Sequence, residues 1–189
     1  MQGMDTPSSC QTSRRQVLGL SLAALAAAAL PGAARAAYMV RPWPEGKAAP
    51  LLELTDMDGK AWNLAALKGH PVMLNFWATW CEPCRAEMPS LELVATRHER
   101  AGLLVLAVNY KEGAPVIKRF LDQRPFSLPI LLDRDGAAAG AWTPRVFPTT
   151  VLIDRHGTPR QSVLGDLDWM GPAARELIEP LLLAKPHTA

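Results

Sequence analysis

Leu74-Asn75-Phe76-Trp77-Ala78-Thr79-Trp80-Cys81-Glu82-Pro83-Cys84-Arg85-Ala86-Glu87-Met88-Pro89 carries the end of one structural element, the start of another, and two cysteines at the junction. Its first residues complete the nearly unbroken apolar run Pro71 to Trp77, which reads as a buried central strand. After Cys81 the period changes. Met88, Leu91, Val94 and Ala95 recur at helical spacing with charges between them, which predicts a helix opening near Cys81, running to about Arg100 and kinked by Pro89. Cys81 thus falls where unpaired amides and the helix dipole can stabilise a thiolate, and Cys84, one turn further in, should be more buried. A dithiol that exchanges with other disulfides needs one thiolate to attack and a second thiol close by to resolve the mixed disulfide, and this spacing supplies both.

Working outward, Leu51 to Leu54 and Ala61 to Leu64 flank Asp58-Gly59 as a hairpin. Leu103 to Asn109 reads as a second buried strand, Ala114 to Gln123 as an amphipathic helix, and Ser127 to Leu132 as a short strand or extended segment. Thr149 to Asp154 and Gln161 to Leu164 are strands around the turn Arg155-His156-Gly157, and Gly171 to Ala184 is a closing helix with Pro172 in its first turn. Strands alternating with helices argue an α/β sandwich with a mixed sheet.

The amino-terminal stretch is of another kind. Arg14 and Arg15 precede the uncharged 14-residue run Val17 to Leu30, and Ala34-Arg35-Ala36 follows, the order of a secretory signal peptide. The run is short of the roughly 20 residues of a spanning helix. Ser13-Arg14-Arg15-Gln16-Val17-Leu18 resembles a twin-arginine export signal, with cleavage expected after Ala36. The expected organisation is a cleavable signal over 1–36, an extended lead-in over 37–50 and one domain over 51–186.

Composition limits the partners and the use of the cysteines. The chain has 20 Lys and Arg against 18 Asp and Glu. Arg14, Arg15, Arg35 and Asp5 lie in 1–36, so the remainder is balanced, which argues against a nucleic-acid or anionic-membrane partner. Of three cysteines, Cys10 leaves with the signal. A bridge between residues three apart constrains the unfolded chain little, so the Cys81/Cys84 pair reads as chemical rather than structural.

Cys-x-x-Cys also serves zinc, copper and haem, but there is no second cysteine pair and no His after Cys84. The sixteen residues quoted above closely resemble the thioredoxin superfamily, in its periplasmic TlpA/ResA-like branch. The resemblance continues through Ala49-Pro50, Asp58-Gly59-Lys60, Leu131-Leu132-Asp133, Pro148-Thr149-Thr150-Val151-Leu152-Ile153-Asp154, Gly165 and Asp168-Trp169. It implies a thioredoxin-like three-layer sandwich, with a mixed central β-sheet flanked by helices, an insertion after the first βαβ unit and an N-terminal hairpin. It also implies reduction of periplasmic protein disulfides, including those of apocytochrome c maturation, and a cis proline at Pro148 presenting the backbone of Phe147 to substrate. Phe147 departs from the smaller residue usual there.

Asn75 stands where cytoplasmic thioredoxins carry a buried Asp, and Asn cannot take a proton. Glu87, one turn after Cys84, is the expected acid-base partner of that sulfur, with a raised pKa. Trp80 is expected to contact substrate together with Phe147 and Pro148, Trp77 to lie in the core, and Trp169 to serve packing. His70, His98, His156 and His187 show no ligand spacing and read as surface or loop residues, so no metal is expected. Glu82 and Pro83 disfavour the thiolate, by charge and by a missing amide, which predicts a potential nearer thioredoxin's about −270 mV than the about −120 mV of strong oxidants. The expected agent is a monomeric reductant whose only redox group is the Cys81–Cys84 disulfide, and whose electrons come from a membrane thiol transporter. A peroxidase would need Thr and Pro where Ala78 and Leu74 stand; a copper carrier using the two thiolates is the alternative reading.

Overall fold

The computed structural model describes residues 38–183. The export signal expected over 1–36, with its cleavage point, lies outside these residues, as do Ala184 and His187. A six-stranded sheet in the order β1-β8-β7-β4-β5-β6 forms the middle layer. Its strands are β1 (Tyr38–Pro42), β4 (Val72–Trp77), β5 (Leu104–Tyr110), β6 (Ile130–Asp133), β7 (Thr149–Ile153) and β8 (Pro159–Gly165), while β2 (Glu53–Thr55) and β3 (Ala61–Asn63) form a separate hairpin. β4, β5 and β6 run parallel, and β7, β8 and β1 are added antiparallel, so the sheet is mixed.

Every residue of β4 is buried, because both sheet faces are covered and its alternation serves two cores. Met73 and Trp77 face the layer of α1 (Glu82–Arg97), α2 (Ala114–Gln123) and α4 (Pro172–Leu183). Val72, Leu74 and Phe76 face the hairpin and α3 (Ala137–Trp142). Trp77 is held between Phe120 and Phe126, with ring centroids 5.5 and 5.6 Å away. Truncating such a side chain to Ala costs about 3–5 kcal/mol. The hairpin is fixed by Asp56, whose carboxylate accepts from the Asp58 and Lys60 amides and, at 2.7 Å, from the Trp62 indole.

Several readings change against the structure. The lead-in over 37–50 supplies β1, whose backbone pairs with β8 from Tyr38↔Gly165 to Pro42↔Gln161, so part of the expected linker is sheet. The helix from Cys81 ends at Arg97 rather than Arg100; a 3-10 turn over Glu99–Ala101 follows and Gly102, at φ 77°, closes it. Pro89 lies inside α1, which continues past it. Of the segment expected from Ser127 as short strand or extended chain, the part from Ile130 is strand, while the Ser127 amide and hydroxyl are taken by Glu92 Oε1. Finally, α3 has no counterpart among the expected elements; the Asp133 carboxylate accepts from the Ala138 and Ala139 amides and opens it.

Candidate active site

Cys81 is the residue at which β4 has ended and α1 has not begun. Its backbone is extended (φ −85°, ψ 105°), its carbonyl accepts the first helical bond from the Arg85 amide, and its Sγ accepts from the Cys84 amide at 3.3 Å. Pro83 lies in the first turn, where its missing N–H would have found no helical partner. The two sulfurs are bonded to each other, with Cα atoms 5.3 Å apart. Cys84 is wholly buried and Cys81 nearly so. Glu82 is exposed and forms an ion pair with Arg85, the guanidinium of which also reaches the Thr79 carbonyl. The negative charge beside Cys81 is therefore partly neutralised, which weakens Glu82 as a lever on the thiolate.

Behind Cys84, one turn along α1, Glu87 is 3 % exposed. Asn75 of β4 donates its Nδ2 to Glu87 Oε1 at 2.6 Å and also contacts Thr150 Oγ1 at 3.0 Å. The Leu167 amide and the Trp169 indole donate to Oε2 at 3.3 and 3.2 Å. Burial is the dominant influence and raises the pKa of Glu87 to about 8; the three donors pull it down and nearby Asp166 pushes it up. At neutral pH Glu87 is thus mostly a carboxylic acid, carrying a proton inside the protein next to the turn that holds Cys84.

The rim is aromatic. Trp80 is 62 % exposed and meets the half-buried Phe147 edge-on at 6.1 Å, while Phe147 lies against Tyr110 at 4.9 Å. The Phe147–Pro148 peptide is cis, and the Pro148 carbonyl accepts from the Gly165 amide. Cys81, Trp80, Phe147 and Pro148 thereby stand at one end of the sheet, with Glu87 on the inner side of Cys84. Trp169, read from sequence as packing, also bonds Glu87, and Leu167 joins it. Neither carries a sequence signal for this, being about eighty residues from Glu87, though Asn75 and Thr150 lie on two adjacent strands of the sheet. His70 and His156 are exposed and His98 is half-buried, its pKa lowered by burial and by Arg97. Among the described residues no cluster of three His, Cys, Asp or Glu side chains is placed to hold a metal ion. Ala78 and Leu74, where a peroxidase would carry Thr and Pro, are fully buried.

A bonded Cys-x-x-Cys pair at a helix mouth, on a mixed sheet between helical layers, defines a thioredoxin-fold thiol-disulfide oxidoreductase. The relatives agree. The chain belongs to the AhpC/TSA family, which matches residues 46–162, and within it to the ResA-like thiol-disulfide oxidoreductases. It is 34% identical over 121 residues to the thiol-disulfide oxidoreductase ResA of Bacillus anthracis, covering 64% of this chain and 70% of that one. With ResA of Halalkalibacterium halodurans the identity is 35% over 136 residues, covering 71% and 77%. Among solved structures, a protein provisionally assigned as thiol:disulfide interchange protein DsbE from Chlorobium tepidum superposes with a TM-score of 0.63 at 31% identity, over 74% of this chain and 95% of that one. The secreted thiol-disulfide isomerase of Corynebacterium glutamicum, at 22% identity and a TM-score of 0.64 over 76% and 92%, shares the fold.

Proposed function

We propose that this protein reduces disulfides of exported polypeptides in the periplasm, with the Cys81–Cys84 pair as its only redox group. In the reduced protein the Cys81 thiolate attacks one sulfur of a substrate disulfide; a Cys81–substrate bond forms and the substrate's other sulfur leaves as thiolate. Cys84 then passes its thiol proton to Glu87 in the molecules that hold Glu87 as the carboxylate, a minority at neutral pH, and attacks Cys81. The internal disulfide forms, the second substrate sulfur leaves, and two electrons have moved to the substrate. Resetting runs the other way, with neutral Glu87 returning its proton to Cys84 as that sulfur leaves. The observation that carries this reading is the buried Glu87, held by three donors one turn from Cys84 with its pKa raised to about 8.

The sequence of residues 1–36 supports export, and the ResA names of the relatives support the chemistry. An exported reductant cannot meet cytoplasmic reductases, so a membrane thiol transporter is its electron donor. Trp80 and Phe147 contact the substrate, and Pro148 holds the Phe147 backbone toward it. The test is trapping in the native host: Cys84→Ala leaves the first mixed disulfide unresolved, so exported proteins accumulate bonded to Cys81. Cytochrome-maturation proteins in that trap mark a dedicated role, and a diverse set marks a general reductase. If nothing is trapped, and Cys81→Ser has no effect on periplasmic thiol status, the reading is lost.

A further inference from the structure

Two walls face a substrate at this site: the Thr79-Trp80-Cys81 turn and the Phe147-Pro148 loop. Both are tied to the same three residues at the end of β5. Glu112 accepts the Thr79 amide at 2.7 Å and the Thr79 hydroxyl at 2.5 Å, and is itself held by the buried Asn109 at 2.9 Å. Tyr110, two residues earlier, lies against the Phe147 ring. Lys111 between them is left-handed at φ 58°, which turns the chain so that its neighbours serve different walls. Arg145, just ahead of Phe147, has φ 59°, and these two are the only non-glycine residues in that region among those described. Such backbone is costly for a side-chain-bearing residue, and both instances fall at this one place. Behind the corner Gly136 leaves room, since a Cβ there would stand 2.7 Å from the Tyr110 ring.

We propose that the Tyr110-Lys111-Glu112 corner sets the separation of the two walls, Glu112 positioning Trp80 through Thr79 and Tyr110 positioning Phe147, and that it favours disulfides carried in polypeptide over small disulfides. A polypeptide spans both walls, whereas a small disulfide needs only the sulfur of Cys81. This rests on the reading of Trp80 and Phe147 as substrate contacts.

The experiment compares kcat/KM for insulin and for hydroxyethyl disulfide, with dithiothreitol as reductant, in the wild type, Glu112→Ala, Glu112→Gln, Thr79→Val, Thr79→Ser and the Glu112→Ala/Thr79→Val pair. The insulin-to-small-disulfide ratio should fall about fivefold in Glu112→Ala and Thr79→Val, chiefly through KM for insulin, the worth of about one hydrogen bond. The pair should fall little further than either alone, and Thr79→Ser and Glu112→Gln should keep most of the ratio. Denaturation midpoints of each variant separate this from lost stability. Both rates falling together in step with stability, or neither falling, overturns the proposal. A wild type that reduces hydroxyethyl disulfide but not insulin overturns the polypeptide-reductase reading itself and takes the corner's role with it.

Discussion

Replacing Glu87 by Gln tests the buried acid directly. The unfolded chain releases this proton near pH 4.5, while the folded protein keeps it until about 8. Between those values the folded state binds more protons, so stability falls as pH rises, by about 1.4 kcal/mol per unit and by of order 5 kcal/mol over the window. Below pH 4.5 the group is neutral in both states, and above about 8 the full cost of the buried carboxylate is present. Glutamine has the same shape and no proton to lose. Its oxygen can take the Leu167 and Trp169 donors, and its amide can face Asn75, the Oδ1 of which has no partner in the structure. Urea denaturation of both oxidised proteins, from about pH 5 to 9 in half-unit steps, should give a wild-type-minus-variant difference that declines through the window and levels near pH 8. Reduction of the internal disulfide by dithiothreitol should be slower in Glu87→Gln at about pH 7, by about a hundredfold if the acid protonates Cys84, with the gap closing above about pH 8. A stability difference that is flat or rising with pH would refute the account of Glu87.

Two further outcomes follow from the same surroundings. Trp169→Phe removes the indole donor and leaves Glu87 with two, so the midpoint of the pH–rate profile should move upward by about half a unit, as a pH series of disulfide reduction would show. Arg85→Ala removes the cation beside Glu82 and Cys81, so the potential should become more negative by about 10–20 mV, whereas Glu82→Gln should raise it by less, the exposed charge being screened; equilibration with glutathione measures both.

The parts of the fold legible in the sequence are those whose apolar pattern is dictated by burial. β4 reads as an unbroken run because it is covered on both faces, and α2 as an amphipathic stretch because one side meets the core. β1 is illegible because its side chains are mostly exposed and only its backbone joins the sheet, leaving no alternation to read. The six-residue α3 is too short and too rich in Ala to show a period, and what opens it is a carboxylate before it in the chain. At the site, the cysteines and Glu87 are accessible because their relation is local, spaced by turns of one helix. Trp169 and Glu112 are not, because each acts on a residue more than thirty positions away, through contacts that exist only once the sheet has formed. The pairing of Glu82 with Arg85 is not legible either, since it depends on side-chain placement.

The pairing of β1 with β8 also bears on solubility. The residues that close this side of the sheet are Tyr38–Pro42, directly after the expected cleavage point at Ala36, and they cover the β8 backbone with a strand bearing Arg41 and Pro42. A shortened form beginning at residue 51 would leave the hydrogen-bonding groups of β8 that face β1 bare from Gln161 to Gly165, open to pairing with other chains. The short strand at Tyr38–Pro42 therefore guards this edge of the sheet against self-association, a duty quite apart from the chemistry of the sulfurs.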